Sequence, residues 1–132
     1  MIRAAFLLAF ELAAAQAVAA QAPSETGQIV NSQDTVAMRQ VTLRALDTLN
    51  GLTETLTLGV GETIRFGHLD ITLEACRVPR DDPESDAYAF LRIQDIRDAA
   101  PRFSGWMFAS SPALSALDHP RYDVWALSCS NS

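Results

Sequence analysis

Apolar and polar residues alternate through the middle of the chain in Leu69-Asp70-Ile71-Thr72-Leu73-Glu74-Ala75-Cys76. Because successive side chains of a strand point to opposite faces of a sheet, this run predicts a strand with one buried face. Cys76 breaks the pattern, since it falls on the polar side with Thr72 and Glu74. Either this cysteine lies on the outside of the sheet, or a β-bulge shifts the register and turns it inward.

The same period of two extends over most of the chain from Val36 onward, with turns at Asn50-Gly51 and Gly61. The pattern lacks the strand–helix–strand rhythm that a parallel sheet requires. We therefore predict an all-β fold, a small antiparallel sandwich or partly open barrel of about seven strands with one short helix. The predicted strands cover residues 41–45, 52–58, 63–66, 69–78, 87–93, 103–110 and 122–129.

The short helix is predicted to begin after Ser111, a suitable N-cap, with Pro112 at the first helical position. Pro120 ends the segment, because proline cannot continue a helix. Leu114 and Leu117 lie three residues apart, so we expect them to share one face and to pack on the sheet.

The N-terminus has the order of a secretory signal peptide. Arg3 precedes an apolar stretch at residues 4–15, and Ala17-Val18-Ala19 supplies the small residues of a cleavage site. A membrane anchor or an amphipathic helix is the alternative. Glu11 and Gln16 interrupt the stretch, however, and a membrane span needs about 20 apolar residues.

The interpretation of the N-terminus as a signal peptide divides the chain into three parts. We predict a signal peptide at residues 1–20, a flexible polar leader at residues 21–35 and a single domain at residues 36–132. Nothing later in the sequence is apolar over a length that would span a bilayer, so we expect no transmembrane span after cleavage.

Cys76 and Cys129 are the two cysteines of the chain. Export places them in an oxidising compartment, where such a pair forms a disulfide. A redox or metal-binding pair is the competing interpretation, but the sequence has no C-x-x-C motif and no histidine beside either cysteine. We therefore predict a disulfide that ties the middle of the domain to its end.

The composition is that of a small folded domain with an acidic surface. The chain has 132 residues, of which 48% are hydrophobic and 20% are charged, so it can build a core. The formal net charge is −6, and all basic residues are arginines. Because nucleic-acid binding requires clustered positive charge, we expect no nucleic-acid partner.

His68 and His119 are the two histidines and the candidate general bases of a hydrolase. No serine lies in a G-x-S-x-G motif, and the two thiols are expected to be oxidised. We therefore expect both histidines to bond to backbone or water in turns, and we expect a protein that is not an enzyme.

Four carboxylates concentrate in the loop at residues 80–86 and are candidate calcium ligands. The loop has neither the spacing of an EF-hand nor its glycine. We therefore expect a solvated turn, no metal site and no cofactor. These candidate ligands are Asp81, Asp82, Glu84 and Asp86.

Large apolar side chains concentrate near the C-terminus, and we take five of them as candidate binding residues: Trp106, Met107, Phe108, Tyr122 and Trp125. On a strand Trp106 and Phe108 share one face and Met107 the other. Such a strand is either buried on both sides or exposes one side to a partner. Two interpretations stay open, an aromatic core and a binding face for a protein or a small ligand.

These segments resemble one known family. The resemblance is carried by the run at residues 69–76, by Phe103-Ser104-Gly105-Trp106-Met107-Phe108-Ala109-Ser110-Ser111-Pro112-Ala113-Leu114 and by Tyr122-Asp123-Val124-Trp125. They are similar to domain-of-unknown-function family 2155, exported proteins found mostly in alphaproteobacteria, over residues 38–129. The resemblance implies a periplasmic location in a Gram-negative bacterium and a cysteine pair that matches Cys76 and Cys129. It implies no activity, ligand or catalytic residue.

We therefore expect an exported, non-enzymatic β-domain that binds another envelope protein through the segment from Trp106 to Trp125. The first alternative is a binding protein for a small ligand, either a sugar or a hydrophobic group. The second is a hydrolase that uses His68 or His119. The sequence sets no oligomeric state.

Overall fold

The computed structural model describes residues 30–132, which fold into two antiparallel β-sheets. The predicted all-β fold is confirmed, in the form of a two-sheet sandwich. It has one strand more than the alternation predicts, because the segment before Arg39 also pairs. The strands are β1 (Thr35–Met38), β2 (Gln40–Asp47), β3 (Leu52–Gly59), β4 (Thr63–Phe66), β5 (Leu69–Pro79), β6 (Tyr88–Asp95), β7 (Phe103–Phe108) and β8 (Tyr122–Ser130).

The larger sheet has the order β1-β5-β6-β7, and β4 also pairs with β5. The smaller sheet has the order β3-β2-β8. The inward members of the alternating runs meet between the sheets and form one core, which is the main source of stability. Its fully buried members include Val41, Leu43, Ala45, Leu69, Ile71, Leu73, Ala89, Leu91 and Ile93.

Two β-bulges turn the cysteines toward the core. The pairing of β5 with β6 shifts at Glu74, and the pairing of β8 with β2 shifts at Leu127. Each extra residue reverses which face the following side chains occupy. Cys76 is therefore only 1% exposed, and it forms a disulfide with Cys129 across the two sheets. The predicted disulfide is confirmed, and the bulge is the correct one of the two alternatives for Cys76.

The segment between β7 and β8 is less helical than predicted. It contains a single 3₁₀ turn at Pro112–Leu114, and Ser111 makes no side-chain cap hydrogen bond. The backbone is already extended at Ser115, so residues 114 and 117 do not share a helical face. Leu117 is 7% exposed and joins the core, whereas Leu114 is 69% exposed. The prediction that both leucines pack on the sheet is therefore wrong for Leu114.

The first described residues form a packed turn. The Asn31 side-chain oxygen accepts hydrogen bonds from the backbone N–H groups of Gln33 and Asp34, and Val30 is buried. Thr35 then begins β1, so residues 30–35 are structured although the sequence places them in the leader. The predicted signal peptide and the rest of the leader lie outside the described residues. Within residues 30–132, no helix is long and apolar enough to cross a membrane.

Candidate functional site

An apolar groove of about 340 Å³ lies between β7, the 3₁₀ turn and β8. It opens on the side of the sandwich where both sheets end, because β7 pairs only with β6 and β8 pairs only with β2. Its large apolar lining residues are Met107, Phe108 and Trp125. Small residues that follow β7, including Ala113 and Ala116, also line it.

The groove brings together three of the five residues that the sequence proposes for binding. Met107 and Phe108 are nearly fully buried, so they pack as the floor of the groove, whereas Trp125 is half-buried in β8. Tyr122 is buried and does not line the groove. The aromatic segment is therefore core in part and accessible surface in part.

Trp106 lies on a different surface. It is on the outer face of the larger sheet, directly opposite Phe90 of β6. The two ring centroids are 5.3 Å apart with the planes perpendicular, the edge-to-face geometry that aromatic pairs prefer. Since Trp106 does not line the groove, the two tryptophans do not belong to one site.

Sequence reasoning missed several residues of the groove. Ala113 and Ala116 lie in the segment that was predicted as a helix lying on the sheet, and Asp123 is a polar residue of a predicted strand. One signal could have indicated the two alanines: the sequence predicts that their segment lies on a sheet, and in the structure it lies next to an edge strand. Alternation shows which way side chains point, but it does not show which strands have a free edge.

A second hollow, of about 550 Å³, lies beside β1 and the bulge of β5. Its lining includes Arg39, Glu74 and Arg77. Among residues 30–132, no aromatic side chain lines this hollow, whereas Phe108 and Trp125 line the groove. Because aromatic side chains are prominent in the lining of ligand sites, the groove at Trp125 is the better candidate.

The histidines surround Tyr122 at another part of the molecule. The backbone N–H groups of Arg121 and Tyr122 donate to His119 Nδ1 at 3.0 and 3.1 Å. His119 Nε2 therefore carries the proton and donates to Asp95 Oδ2 at 2.8 Å. The side chains of His119 and Asp95 are each only 1% exposed. Both ring nitrogens of His119 therefore have hydrogen-bond partners within the protein.

His68 is half-buried and also contacts Tyr122. Its backbone N–H donates to the Tyr122 hydroxyl at 3.2 Å, and its Nδ1 lies 3.4 Å from the same oxygen. In the described part of the chain, no serine hydroxyl hydrogen-bonds to either histidine, and neither cysteine is free. The geometry offers no nucleophile–base pair at these positions.

Acid should destabilise the domain through Asp95. Hydrogen bonds from Arg97 and His119 hold the pKa of the Asp95 carboxyl far below its ordinary value. The unfolded chain therefore takes up this proton first, and the stabilisation is lost as the pH falls below about 5. We expect Asp95→Asn to lower the urea midpoint at pH 6.5 and to flatten its decline between pH 5 and 3. Glu84→Gln, at an exposed loop position, is the control, and an unchanged pH profile for Asp95→Asn would contradict this assignment.

The four carboxylates of the acidic loop do not converge into one cluster. No group of three or more potential ligands lies together among residues 30–132. Asp81, Asp82 and Glu84 are exposed, and Asp86 accepts hydrogen bonds from the backbone N–H groups of Ala87 and Ser110 and from the Ser110 hydroxyl. Asp86 thus fixes the loop against the end of β7.

Fold and groove together define a class of protein: a small, disulfide-linked antiparallel sandwich with an apolar groove between two edge strands. The chain belongs to domain-of-unknown-function family 2155, described as uncharacterised proteins conserved in bacteria, whose family model matches residues 41–129. An uncharacterised protein of Rickettsia prowazekii (strain Madrid E) is 33% identical over 88 residues, which cover 64% of this chain. This chain spans about 57% of the length of that relative. No solved structure matches the chain.

Proposed function

We propose that this protein is an exported, non-enzymatic interaction module of the periplasm, which binds another envelope protein through the groove at Trp125. The observation that carries the proposal is the groove itself, where Trp125 is accessible above the buried Met107 and Phe108. A partly exposed tryptophan in an apolar depression is typical of residues that contribute most of the energy of an interface.

Two further observations support the proposal. The N-terminal signal pattern of residues 1–20 is the basis for export, and a disulfide between Cys76 and Cys129 suits an oxidising compartment. The hydrogen bonds of His119 argue against acid–base catalysis by that residue, since its ring nitrogens both have protein partners.

A small ligand is the second candidate occupant of the groove. Its volume of about 340 Å³ lies at the lower end of the range of about 300–1,000 Å³ that is common for ligand sites. A sugar or a hydrophobic group that stacks on Trp125 would fit this chemistry. A thermal-shift screen with such compounds distinguishes it from a protein partner.

Site-specific photo-cross-linking in the envelope of the host tests the proposal. A photo-reactive residue at Ala116, in the groove, should yield one reproducible protein adduct. The same group at Thr53, an exposed position of β3, should not yield that adduct. We expect Trp125→Ala to reduce the adduct about tenfold or more, as for a hot-spot residue.

Trp106→Ala is the matched control, because Trp106 is also half-buried in a strand but lies outside the groove. It should leave the adduct unchanged. Circular dichroism and the melting temperature of both variants show whether the fold is retained. Equal loss of the adduct in two folded variants would contradict the groove as the binding site.

A further inference from the structure

The groove follows the edge of β8 rather than one of its faces. Four consecutive residues, Asp123–Ala126, line it. Since successive side chains point to opposite faces, a consecutive run can line one groove only if the groove runs along the strand edge. This edge is the one that does not pair with β2.

The backbone groups on this edge are free for pairing. Within the described residues, Asp123–Ala126 make no backbone hydrogen bond outside their ladder with β2. In an antiparallel pair about half of the N–H and C=O groups of an edge strand point away from its neighbour. The bulge at Leu127 interrupts the ladder between β8 and β2, so the first regular part of β8 ends at Ala126, where the groove also ends.

The only charged residue of the groove lining is Asp123. It is exposed and makes no ion pair within residues 30–132. Arg44 stands opposite Trp125 on β2, at the edge of β8 that faces away from the groove. With the net charge of −6, this arrangement favours a cationic group in whatever binds there.

We propose, on the basis of the proposed function, that the groove receives an extended peptide segment of the partner, which adds a strand to the edge of β8. Its backbone pairs with Asp123–Ala126, an apolar side chain enters the groove beside Trp125, and a lysine or arginine meets Asp123. Main-chain hydrogen bonds supply affinity in this mode of recognition, and alternate side chains supply specificity.

Selection from a display library of random twelve-residue peptides, with the purified oxidised protein as target, tests this mode. Enriched peptides should combine β-branched or aromatic residues with lysine or arginine. Each selected peptide is then synthesised with N-methyl groups on alternate backbone nitrogens, in both registers. Edge pairing predicts that one register abolishes binding and the other leaves it unchanged, because only alternate N–H groups face β8.

Asp123→Asn should weaken binding of the selected peptides about two- to fivefold at low salt and less at high salt, as for an exposed ion pair.

Ala116→Trp should fill the groove and abolish peptide binding, whereas Ala100→Trp, at an exposed position outside the groove lining, should not. NMR spectra of the amides of Asp123–Ala126 report pairing directly. Melting curves of these variants show whether the fold is retained, so that loss of binding can be distinguished from loss of stability.

Several results would overturn the inference. One is a selection that enriches no peptides or enriches acidic ones. Another is equal binding of the two peptides that carry N-methyl groups in the two registers. If the protein forms a dimer that Ala116→Trp dissociates, the occupant of the groove is a second copy of the chain. If a sugar shifts the amide signals of Asp123–Ala126, the occupant is a small ligand. If photo-cross-linking through Ala116 still captures one partner, the proposed function stands and only the strand-addition mode fails.

Discussion

Loss of the Cys76–Cys129 disulfide should lower the melting temperature of this domain by roughly 15 °C or more. The bridge joins residues 53 positions apart, and closing a loop of that length stabilises a fold by about 4 kcal/mol in the chain-entropy model. For a domain of this size each kcal/mol corresponds to about 4–8 °C. The bridge also links the two sheets through β5 and β8, so its loss lets one sheet separate from the other more easily.

The variant to measure is Cys76→Ser together with Cys129→Ser, because a single substitution leaves a reactive thiol. Its melting curve should match that of the wild-type protein under reductant and should not respond further to reductant. Ser128→Ala, at an exposed position next to the bridge, is the control and should change the curve little. A wild-type curve that reductant leaves unchanged would show that the bridge contributes little to stability.

The disulfide also shows what sequence reasoning can and cannot reach in this fold. Alternation predicts which residues of β5 face inward up to Leu73, and all of these are buried. Alternation alone places Cys76 on the outer face of the sheet. The structure turns it inward because Glu74 is the extra residue of a β-bulge. Bulges depend on the pairing between two strands, so one strand read alone leaves them undetermined.

The candidate site was predictable to a similar extent. The aromatic cluster identified Met107, Phe108 and Trp125, all of which line the groove. It also included Trp106, which packs against Phe90 on the far side of β7. Side-chain periodicity assigns residues to faces, whereas the groove depends on two strands from different sheets having free edges on the same side. That property belongs to strand order, which the alternation does not contain.

Gly67→Ala should destabilise the domain by about 3 kcal/mol, well beyond the cost of the same change at Gly51. Both glycines have positive φ, +57° at Gly67 and +73° at Gly51. An alanine in that region costs roughly 1–2 kcal/mol at either position. At Gly51 an added Cβ meets nothing within 4 Å, whereas at Gly67 it would overlap the Tyr122 hydroxyl and come within 2.7 Å of the ring carbon Cζ.

The tyrosine cannot move aside without breaking other contacts. Its ring packs against Phe66 at 5.8 Å and His119 at 5.1 Å between centroids, and the Arg121 guanidinium lies 5.0 Å from its centre. Overpacking of a site held on several sides adds roughly 1–3 kcal/mol to the backbone cost. Displacement of Tyr122 would also shift the backbone N–H that it donates to His119. The cost therefore falls on the contacts around Tyr122 as well as on the turn.

Urea denaturation of Gly67→Ala and Gly51→Ala, measured side by side, separates the two contributions. Because the new methyl group overlaps Tyr122 only at position 67, we expect Gly67→Ala to have the lower urea midpoint of the two variants. Combining it with Tyr122→Phe, which removes the hydroxyl nearest to the new methyl group, should cost less than the sum of the single changes, because the two residues are in contact. Equal midpoints for the two alanine variants, or strict additivity in the double variant, would mean that Tyr122 does not confine Gly67. The glycine would then serve the turn alone, as Gly51 does.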